Sequence, residues 1–410
     1  MNKENKKIGN KIQEFCSKYI MLIVAILVFI IGIVSIFITA YFDGDFTNAV
    51  EKTSYRIDNI FINIGTIFVL LSFLYIIYKL TKKVSLKILI PVTLAITFIA
   101  QILWVNNVKL MPESDQGNIM IGAEAFCNGT FGNLMKDGEY FSIYPFQTAL
   151  SFYVSIVHKI INMHGYMPIE YINVALSTFN LFIMYLIIAL FWKDERIKRT
   201  GLFTLFGFSL YFLFFNVHFY GNIIGLTFGL IALYFTLKYL RNKKIYNIII
   251  TGIAITLSIL FKSNYSIFLC GIILTLVLEL LKDKKIRTFA SIIIILGTYI
   301  ILNTGFNFYI EKITGEKISK GVPMISYMYM GIAEPLNLSS GWYTADVVKI
   351  YENNNYDYES SSEESKELLK DRISYLAQNP GYTIKYFGDK LRIYLAKSNI
   401  SNSLVFMARG

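Results

Sequence analysis

Two acidic residues, Glu113 and Asp115, stand two positions apart at the start of the only long polar stretch in the first three hundred residues, which runs from Met111 to Gln147. A carboxylate in such a stretch can act as a general base toward a hydroxyl group. The acidic-x-acidic spacing could also hold a divalent cation through oxygen ligands. A simpler role is open as well, because an aspartate before a helix at residues 116–126 could be its N-cap or stay solvated in the loop.

Lys262 is the second candidate, in the segment Phe-Lys-Ser-Asn-Tyr between two apolar runs. A lysine near a membrane face can extend its ammonium group to the interface. It can equally pair with an anionic lipid phosphate, and an ionisable residue at membrane depth indicates a functional site. The sequence leaves both roles open.

The elements that must position these residues are apolar. The chain has 410 residues, of which 55% are hydrophobic, and its mean hydropathy is +0.50. Continuous runs of about 20 apolar residues match the thickness of a bilayer core. The composition therefore predicts an all-α polytopic membrane protein embedded in a lipid bilayer, and the continuous rather than alternating runs exclude barrel strands.

The net charge of +11 comes mainly from lysines in short connectors, which indicates membrane orientation and not nucleic-acid binding. Placing every basic cluster on the cytoplasmic side predicts about nine transmembrane helices with the N-terminus inside. The spans lie at about 19–41, 60–80, 88–108, 169–192, 201–217, 221–240, 248–261, 265–281 and 289–304. The acidic loop at 109–168 and the C-terminal region then lie outside a cell membrane.

Two further segments are assigned from their composition. Residues 144–163 are apolar with a polar stripe, which predicts an interfacial helix rather than a span. Charged stretches begin at Gly305, so we divide the chain into a transmembrane module, 1–304, and a small extracytoplasmic region, 305–410. Within the latter, spacing predicts a helix at 365–377 with Leu368, Leu369, Ile373 and Leu376 on one face, ended by Asn379-Pro380-Gly381, and a second helix at 382–396.

Cysteine and histidine residues show no pattern in the sequence. Cys16, Cys127 and Cys270 fall on different segments, and in the predicted topology only Cys127 faces the outside, so no disulfide is expected. No Cys/His spacing resembles a zinc site, so the spacing predicts no metal ligands and no certain cofactor. His218, on a short outer turn, is expected to serve in packing.

Several short motifs together resemble the GT-C glycosyltransferases, and most closely the bacterial relatives of dolichyl-phosphate-mannose protein mannosyltransferases. The motifs are Asp115, residues 122–129, Glu139-Tyr140, Tyr144-Pro145-Phe146-Gln147, Lys262, Gly321-Val322-Pro323, Met330-Gly331 and Gly341-Trp342-Tyr343. The resemblance covers roughly residues 88–395. It departs from the family in having two extra spans before the acidic loop and no spans after residue 343, as expected for a truncated product.

The resemblance implies an inverting sugar transfer from a polyprenyl-phosphate-linked donor to a glycan, lipid or protein acceptor of the cell envelope. Asp115 is then the expected general base. The expected substrate-binding residues are Lys262, Glu113, Tyr144, Gln147 and Glu334. The alternatives are a transporter or flippase of lipid-linked saccharides, which should carry polar residues mid-span, and a non-catalytic envelope assembly protein.

Overall fold

The computed structural model describes residues 3–45, 50–112, 114–334, 340–395 and 397–398. About 80% of the chain is helical. The first half contains α1 (Lys3–Phe37), β1 (Ile38–Asp45), β2 (Val50–Ile57), α2 (Ile60–Leu80), α3 (Leu86–Val108), α4 (Asp115–Asn128), α5 (Tyr140–Ile143), α6 (Thr148–Ile161), α7 (Met167–Phe191) and α8 (Glu195–Asn216). The second half contains α9 (Asn222–Asn242), α10 (Ile245–Phe261), α11 (Ser266–Asp283), α12 (Ile286–Thr314), α13 (Met324–Met330), α14 (Asp346–Asn353), α15 (Tyr358–Gln378), α16 (Pro380–Leu395) and β3 (Lys397–Ser398).

Seven helical segments among the described residues are long and apolar enough to cross a membrane. They are Lys18–Phe37 of α1, α2, α3, α7, α9, Ser263–Asp283 and α12. The prediction of an all-α, multi-pass membrane protein is confirmed at this level. The two other predicted spans correspond to α8, which begins with four charged residues in its first five, and to α10, which has only 17 residues.

The chain divides into two compact units. The first comprises residues 1–21, 70–132 and 146–316, and the second comprises 22–69, 133–145 and 317–410. The change in composition at Gly305 is not a helix boundary, because α12 continues to Thr314 and ends at Gly315, whose backbone takes a left-handed conformation.

In the first unit, the basic connectors meet at one end of the helix bundle. Three contacts show this: Arg199 donates to the carbonyls of Thr81 and Val84 at 2.7 Å each, Arg241 donates to the carbonyl of Leu190, and Lys243 pairs with Glu279 at 2.6 Å. These contacts hold the connector after α2, the start of α8 and the last turns of α7, α9 and α11 at that end.

The predicted interfacial helix is α6, preceded by a 3₁₀ turn at Pro145–Gln147. Its 14 residues extend about 21 Å at 1.5 Å per residue, which is less than a bilayer core. Its polar stripe faces protein, since Ser151 is buried and donates to the carbonyl of Ile119 in α4 at 2.9 Å. Ile160, by contrast, is 77% exposed, so the outward face of α6 is apolar.

The second unit contains a three-stranded sheet that the sequence analysis did not predict. β1 pairs antiparallel with β2 and parallel with β3. The first helix consequently ends at Phe37, four residues before the predicted end of the first span at residue 41.

The helices predicted near the C-terminus are present. α15 contains the predicted segment 365–377 and ends at Gln378, and α16 begins at Pro380. The predicted apolar face is not uniformly buried, because Ile373 is 53% exposed. The buried face of α15 instead includes polar groups such as Ser365, whose hydroxyl lies 2.7 Å from that of Ser326 in α13.

Candidate functional site

Asp115 is the first residue of α4, and its side chain is partly exposed. The N-cap position belongs to Ser114, which makes no side-chain capping hydrogen bond. Asp115 is therefore not the N-cap of this helix. A carboxylate in the first turn lies where the helix dipole favours negative charge.

The backbone immediately before Asp115 is strained. Ser114 has φ of 50° and ψ of −125°, a conformation that side-chain-bearing residues rarely adopt. Such a conformation costs on the order of 1–3 kcal/mol and persists only where the surrounding structure enforces it. The turn thus holds the start of α4, and with it Asp115, in a defined orientation.

Lys262 lies at the junction of α10 and the 3₁₀ turn Ser263–Tyr265, where its extended backbone breaks the helix. Its ammonium nitrogen lies 3.5 Å from the ring centroid of Tyr220, a close cation–π contact. Tyr265 fixes the turn from the other side, because its hydroxyl donates to the carbonyl of Asn222 at 2.7 Å.

Gly221 allows the turn between α8 and α9 to approach the end of α10. Its φ is 76°, and a Cβ at this position would lie 2.1 Å from the carbonyl oxygen of Phe261. Only glycine satisfies both conditions. The turn between α8 and α9 can therefore pack directly against the backbone that presents Lys262.

The charge of Asp115 affects the pKa values of both His218 and Lys262, and we call these three residues the charged cluster. Burial lowers the pKa of His218 to about 4, an effect that the Lys262 ammonium reinforces and the Asp115 carboxylate opposes. Burial also lowers the pKa of Lys262 to about 8, and Asp115 again opposes the shift. At neutral pH the cluster therefore combines a neutral imidazole with a lysine that is close to its titration range.

Gln116 fixes the tautomer of His218. The side-chain oxygen of Gln116 accepts from the backbone N–H of Phe219 at 3.2 Å, so its NH₂ group is the one facing His218. That NH₂ group lies 3.0 Å from Nδ1 of His218 and must donate to it. The proton of the neutral ring is then on Nε2, which is left as a hydrogen-bond donor.

A buried polar network anchors the end of α8 just before His218. The side chain of Asn216 donates to Gln101 at 2.7 Å and accepts from Ser177 at 2.5 Å, while its backbone carbonyl accepts from Asn173 at 3.2 Å. Buried hydrogen-bond networks of this kind favour one arrangement of the helices that share them. The position of the turn at 217–221 follows from this arrangement.

Three of the residues expected to act on substrate belong to the first unit. Asp115 and Lys262 interact, as described above, and Gln147 is buried in the same unit just before α6. Tyr144 and Glu334 belong to the second unit. Glu113 lies outside the described residues.

In the second unit, Tyr144 and Glu334 have partners. The hydroxyl of Tyr144 lies 3.3 Å from that of Tyr343. Glu334 pairs with the buried Arg372 at 2.5 Å and accepts from Tyr382 at 3.1 Å. The predicted substrate-binding carboxylate at Glu334 is thus engaged in an ion pair within its own unit.

Two groups of interest were not singled out by the sequence. His218 was expected to pack, yet it lies within the charged cluster. Glu170, in the first turn of α7, has 0% exposure, and neither carboxylate oxygen has a hydrogen-bond partner within the described part of the chain. The sequence indicated this residue only by placing an acidic side chain in an apolar run, Met-Pro-Ile-Glu.

Comparison of the chain with protein-family models, with curated proteins and with solved structures found no significant match.

Proposed function

We propose that the protein is a GT-C-type glycosyltransferase that transfers a sugar from a polyprenyl-phosphate donor to a cell-envelope acceptor on the outer face of the membrane. The motifs quoted above carry the family assignment. The proposed orientation places the basic connectors inside and the Asp115 cluster outside, with the N-terminus cytoplasmic and the C-terminus extracytoplasmic.

One structural observation supports this function above the others. Six helices, α5 to α10, separate Asp115 from Lys262 in the sequence. Even so, Gln116 lies 3.0 Å from His218, and Lys262 lies 3.5 Å from the ring centroid of Tyr220 in the same turn. A base and a cation close together are the groups that this transfer needs.

The chemistry explains why one carboxylate is enough. Glycoside hydrolases use a second carboxylic acid because a sugar alkoxide must be protonated as it leaves. A polyprenyl phosphate leaves as a stable anion, taking the electron pair of the broken bond between the anomeric carbon and oxygen. Asp115 would accept the proton of the acceptor hydroxyl as that oxygen bonds to the opposite face of the anomeric carbon.

Lys262 and His218 would act on the donor phosphate. The ammonium group would supply the counter-charge, and Nε2–H of neutral His218 a hydrogen bond, to the charge that develops on the leaving group. α10 extends about 26 Å from its first residue to Lys262, which is slightly less than the roughly 30 Å hydrocarbon core. Lys262 would then lie near the depth of a lipid-linked phosphate.

The second candidate is a transporter or flippase of lipid-linked saccharides, and the buried polar side chains of α7 favour it. Glu170, Asn173, Ser177 and Asn180 are all buried along this helix. Asn173 and Ser177, however, bond to Asn216, which gives them a structural role. Glu170 makes no side-chain hydrogen bond to the described residues, so it is the residue of this series that a transport function would use.

Proteoliposomes that contain the purified full chain and a radiolabelled polyprenyl-phosphate sugar separate the two functions. The glycosyltransferase reading predicts consumption of the donor, release of polyprenyl phosphate and appearance of label in an acceptor. Lys262→Ala should abolish most of the sugar transfer at low donor concentration. Lys284→Ala, in the connector between α11 and α12 at the opposite end of the helices, should leave the transfer unchanged. Movement of intact donor between leaflets without its consumption would contradict the proposal and support transport.

A further inference from the structure

Four side chains with metal-ligating atoms converge at the end of α4 remote from Asp115. Glu124 and Cys127 lie in the last turns of α4, His158 in the last turn of α6, and His164 in the connection to α7. Glu124 is about 14 Å from Asp115 along the helix axis, at 1.5 Å per residue. The cluster is therefore distinct from the Asp115 site, and all four residues belong to the first unit.

The distances between the ligand atoms are close to those found around a bound metal ion. One ligand atom each from Cys127, His158 and His164 lie within 4.8 Å of one another. Oε1 of Glu124 is 2.9 Å from Nδ1 of His164 and 3.3 Å from Nδ1 of His158. Ligand atoms around a tetrahedral zinc ion are about 3.3–3.8 Å apart, given Zn–N near 2.0 Å and Zn–S near 2.3 Å. Shifts of about 1 Å would complete the site.

His158 gives the independent indication of a missing ligand. Its side chain is fully buried, and its Nε2 lies 2.9 Å from the carbonyl oxygen of Gly165, to which it can only donate. Nδ1 of the same ring faces the cluster, where it lies 3.3 Å from Oε1 of Glu124 and makes no hydrogen bond to the described residues. A ligand histidine whose other nitrogen donates to a backbone carbonyl is the usual arrangement in metal sites.

We propose that Glu124, Cys127, His158 and His164 bind one Zn²⁺ ion. Thiolate and imidazole ligands in a tetrahedral set select zinc over the harder Mg²⁺ and Ca²⁺ ions, which prefer oxygen ligands. The thiolate and the carboxylate together neutralise the charge of the ion. Four protein ligands leave no open position, so the site is structural.

The surroundings of the cluster allow this charge balance. The ammonium group of Lys159 is directed to the carbonyl of Phe126, at 3.0 Å, where it is held as a hydrogen-bond donor. Because the metal ligand is the thiolate, binding of Zn²⁺ would release the thiol proton of Cys127. The Cys127 thiol donates to the carbonyl oxygen of Ser155, with Sγ at 3.5 Å.

The zinc ion would join three pieces of backbone. It would cross-link the C-terminal turns of α4 and α6 and hold the loop that leads into α7. Because α4 starts at Asp115, the ion would fix one end of the helix whose other end carries the proposed base.

The test uses the purified full chain in lipid nanodiscs, stripped with a chelator and titrated with buffered Zn²⁺ and with Co²⁺. Metal content after re-purification gives the stoichiometry. Co²⁺ adds an independent readout, because a thiolate ligand produces a near-ultraviolet charge-transfer band. The variants are Cys127→Ser and His164→Ala, and Cys270→Ser is the matched control because Cys270 is a free, exposed cysteine elsewhere.

The proposal predicts about one metal ion per chain for the wild type and for Cys270→Ser, with a charge-transfer band in both. Cys127→Ser should lose the band. His164 is 57% exposed, so His164→Ala should fold normally. Loss of a ligand should weaken binding at least as much as loss of an outer partner, by about 10–100-fold. The proposal is overturned if the wild type retains no metal, or if Cys127→Ser binds Co²⁺ with the band of the wild type.

Discussion

The pH dependence of donor binding tests whether Lys262 supplies the positive charge that binds the phosphate. Burial lowers the pKa of this lysine to about 8, so the charged form dominates below pH 8 and is lost above it. The charged fraction falls from about 90% at pH 7 to about 10% at pH 9, since each pH unit changes the protonation ratio tenfold. If only the charged form binds phosphate, the apparent affinity for the donor should fall about tenfold between these values, or about 1.4 kcal/mol.

The binding of a short-chain polyprenyl phosphate, measured by calorimetry from pH 6.5 to 9.5, gives the required curve. The ligand does not titrate in the critical range, because the second pKa of a phosphate monoester is about 6. His218, with its pKa lowered to about 4, stays neutral throughout. The lysine is therefore the group in this cluster whose titration should set the curve.

Lys262→Arg is the matched variant for this experiment. A guanidinium group remains charged over the whole range, so the fall in affinity between pH 7 and pH 9 should disappear. Lys262→Met should bind weakly at every pH. The reasoning is refuted if the wild type binds equally well at pH 7 and pH 9, or if Lys262→Met reproduces the wild-type curve.

Two further changes test the packing around the cluster. Gly221→Ala should destabilise the protein and weaken donor binding, because a Cβ would lie 2.1 Å from the carbonyl oxygen of Phe261. Gly271→Ala is the control, since no atom lies within 4 Å of its Cβ, and it should change neither property. Thermal unfolding in detergent measures the change in stability. Glu170→Met should raise the free energy of unfolding by about 1–3 kcal/mol, since it removes buried oxygens that lack hydrogen-bond partners. A lower unfolding temperature for Glu170→Met would mean that the carboxylate has a stabilising partner.

Hydropathy and charge predicted most of the helical framework because both are local properties of the chain. The second helix, Ile60–Leu80, has the predicted bounds. The β1–β2 hairpin was missed, since it replaces the expected end of the first span and its sheet includes a strand from the far end of the chain. Such pairing depends on distant residues, which a local pattern does not reveal.

The candidate site was predictable only in part. The alternation of spans predicted that Asp115 and Lys262 lie at the same side, and in the structure the charge of Asp115 affects the pKa of Lys262. The role of Gln116 in orienting His218 could not be predicted, because it depends on how α4 packs against the turn after α8. Glu334 was predicted to bind substrate. Its ion-pair partner Arg372 lies on α15, and the spacing of the motifs gave no indication of this pair.

The metal-ligand cluster shows the same limit. Glu124 and Cys127 are three residues apart and share a face of α4. The two histidines come from the end of α6 and the loop beyond it, so the chain shows none of the compact Cys/His spacings of zinc sites. Only the packing of α4 against α6 brings the four side chains together.

The most direct test of the proposed function is the rate of sugar transfer by Asp115→Asn at saturating donor. Asparagine keeps the shape of the side chain but cannot accept the acceptor proton. We expect a loss of about 10²–10⁴-fold in rate with donor binding retained. Asp137→Asn, which changes an exposed carboxylate of the same polar stretch, should transfer at the wild-type rate. Near-full transfer by Asp115→Asn would contradict the assignment of Asp115 as the base.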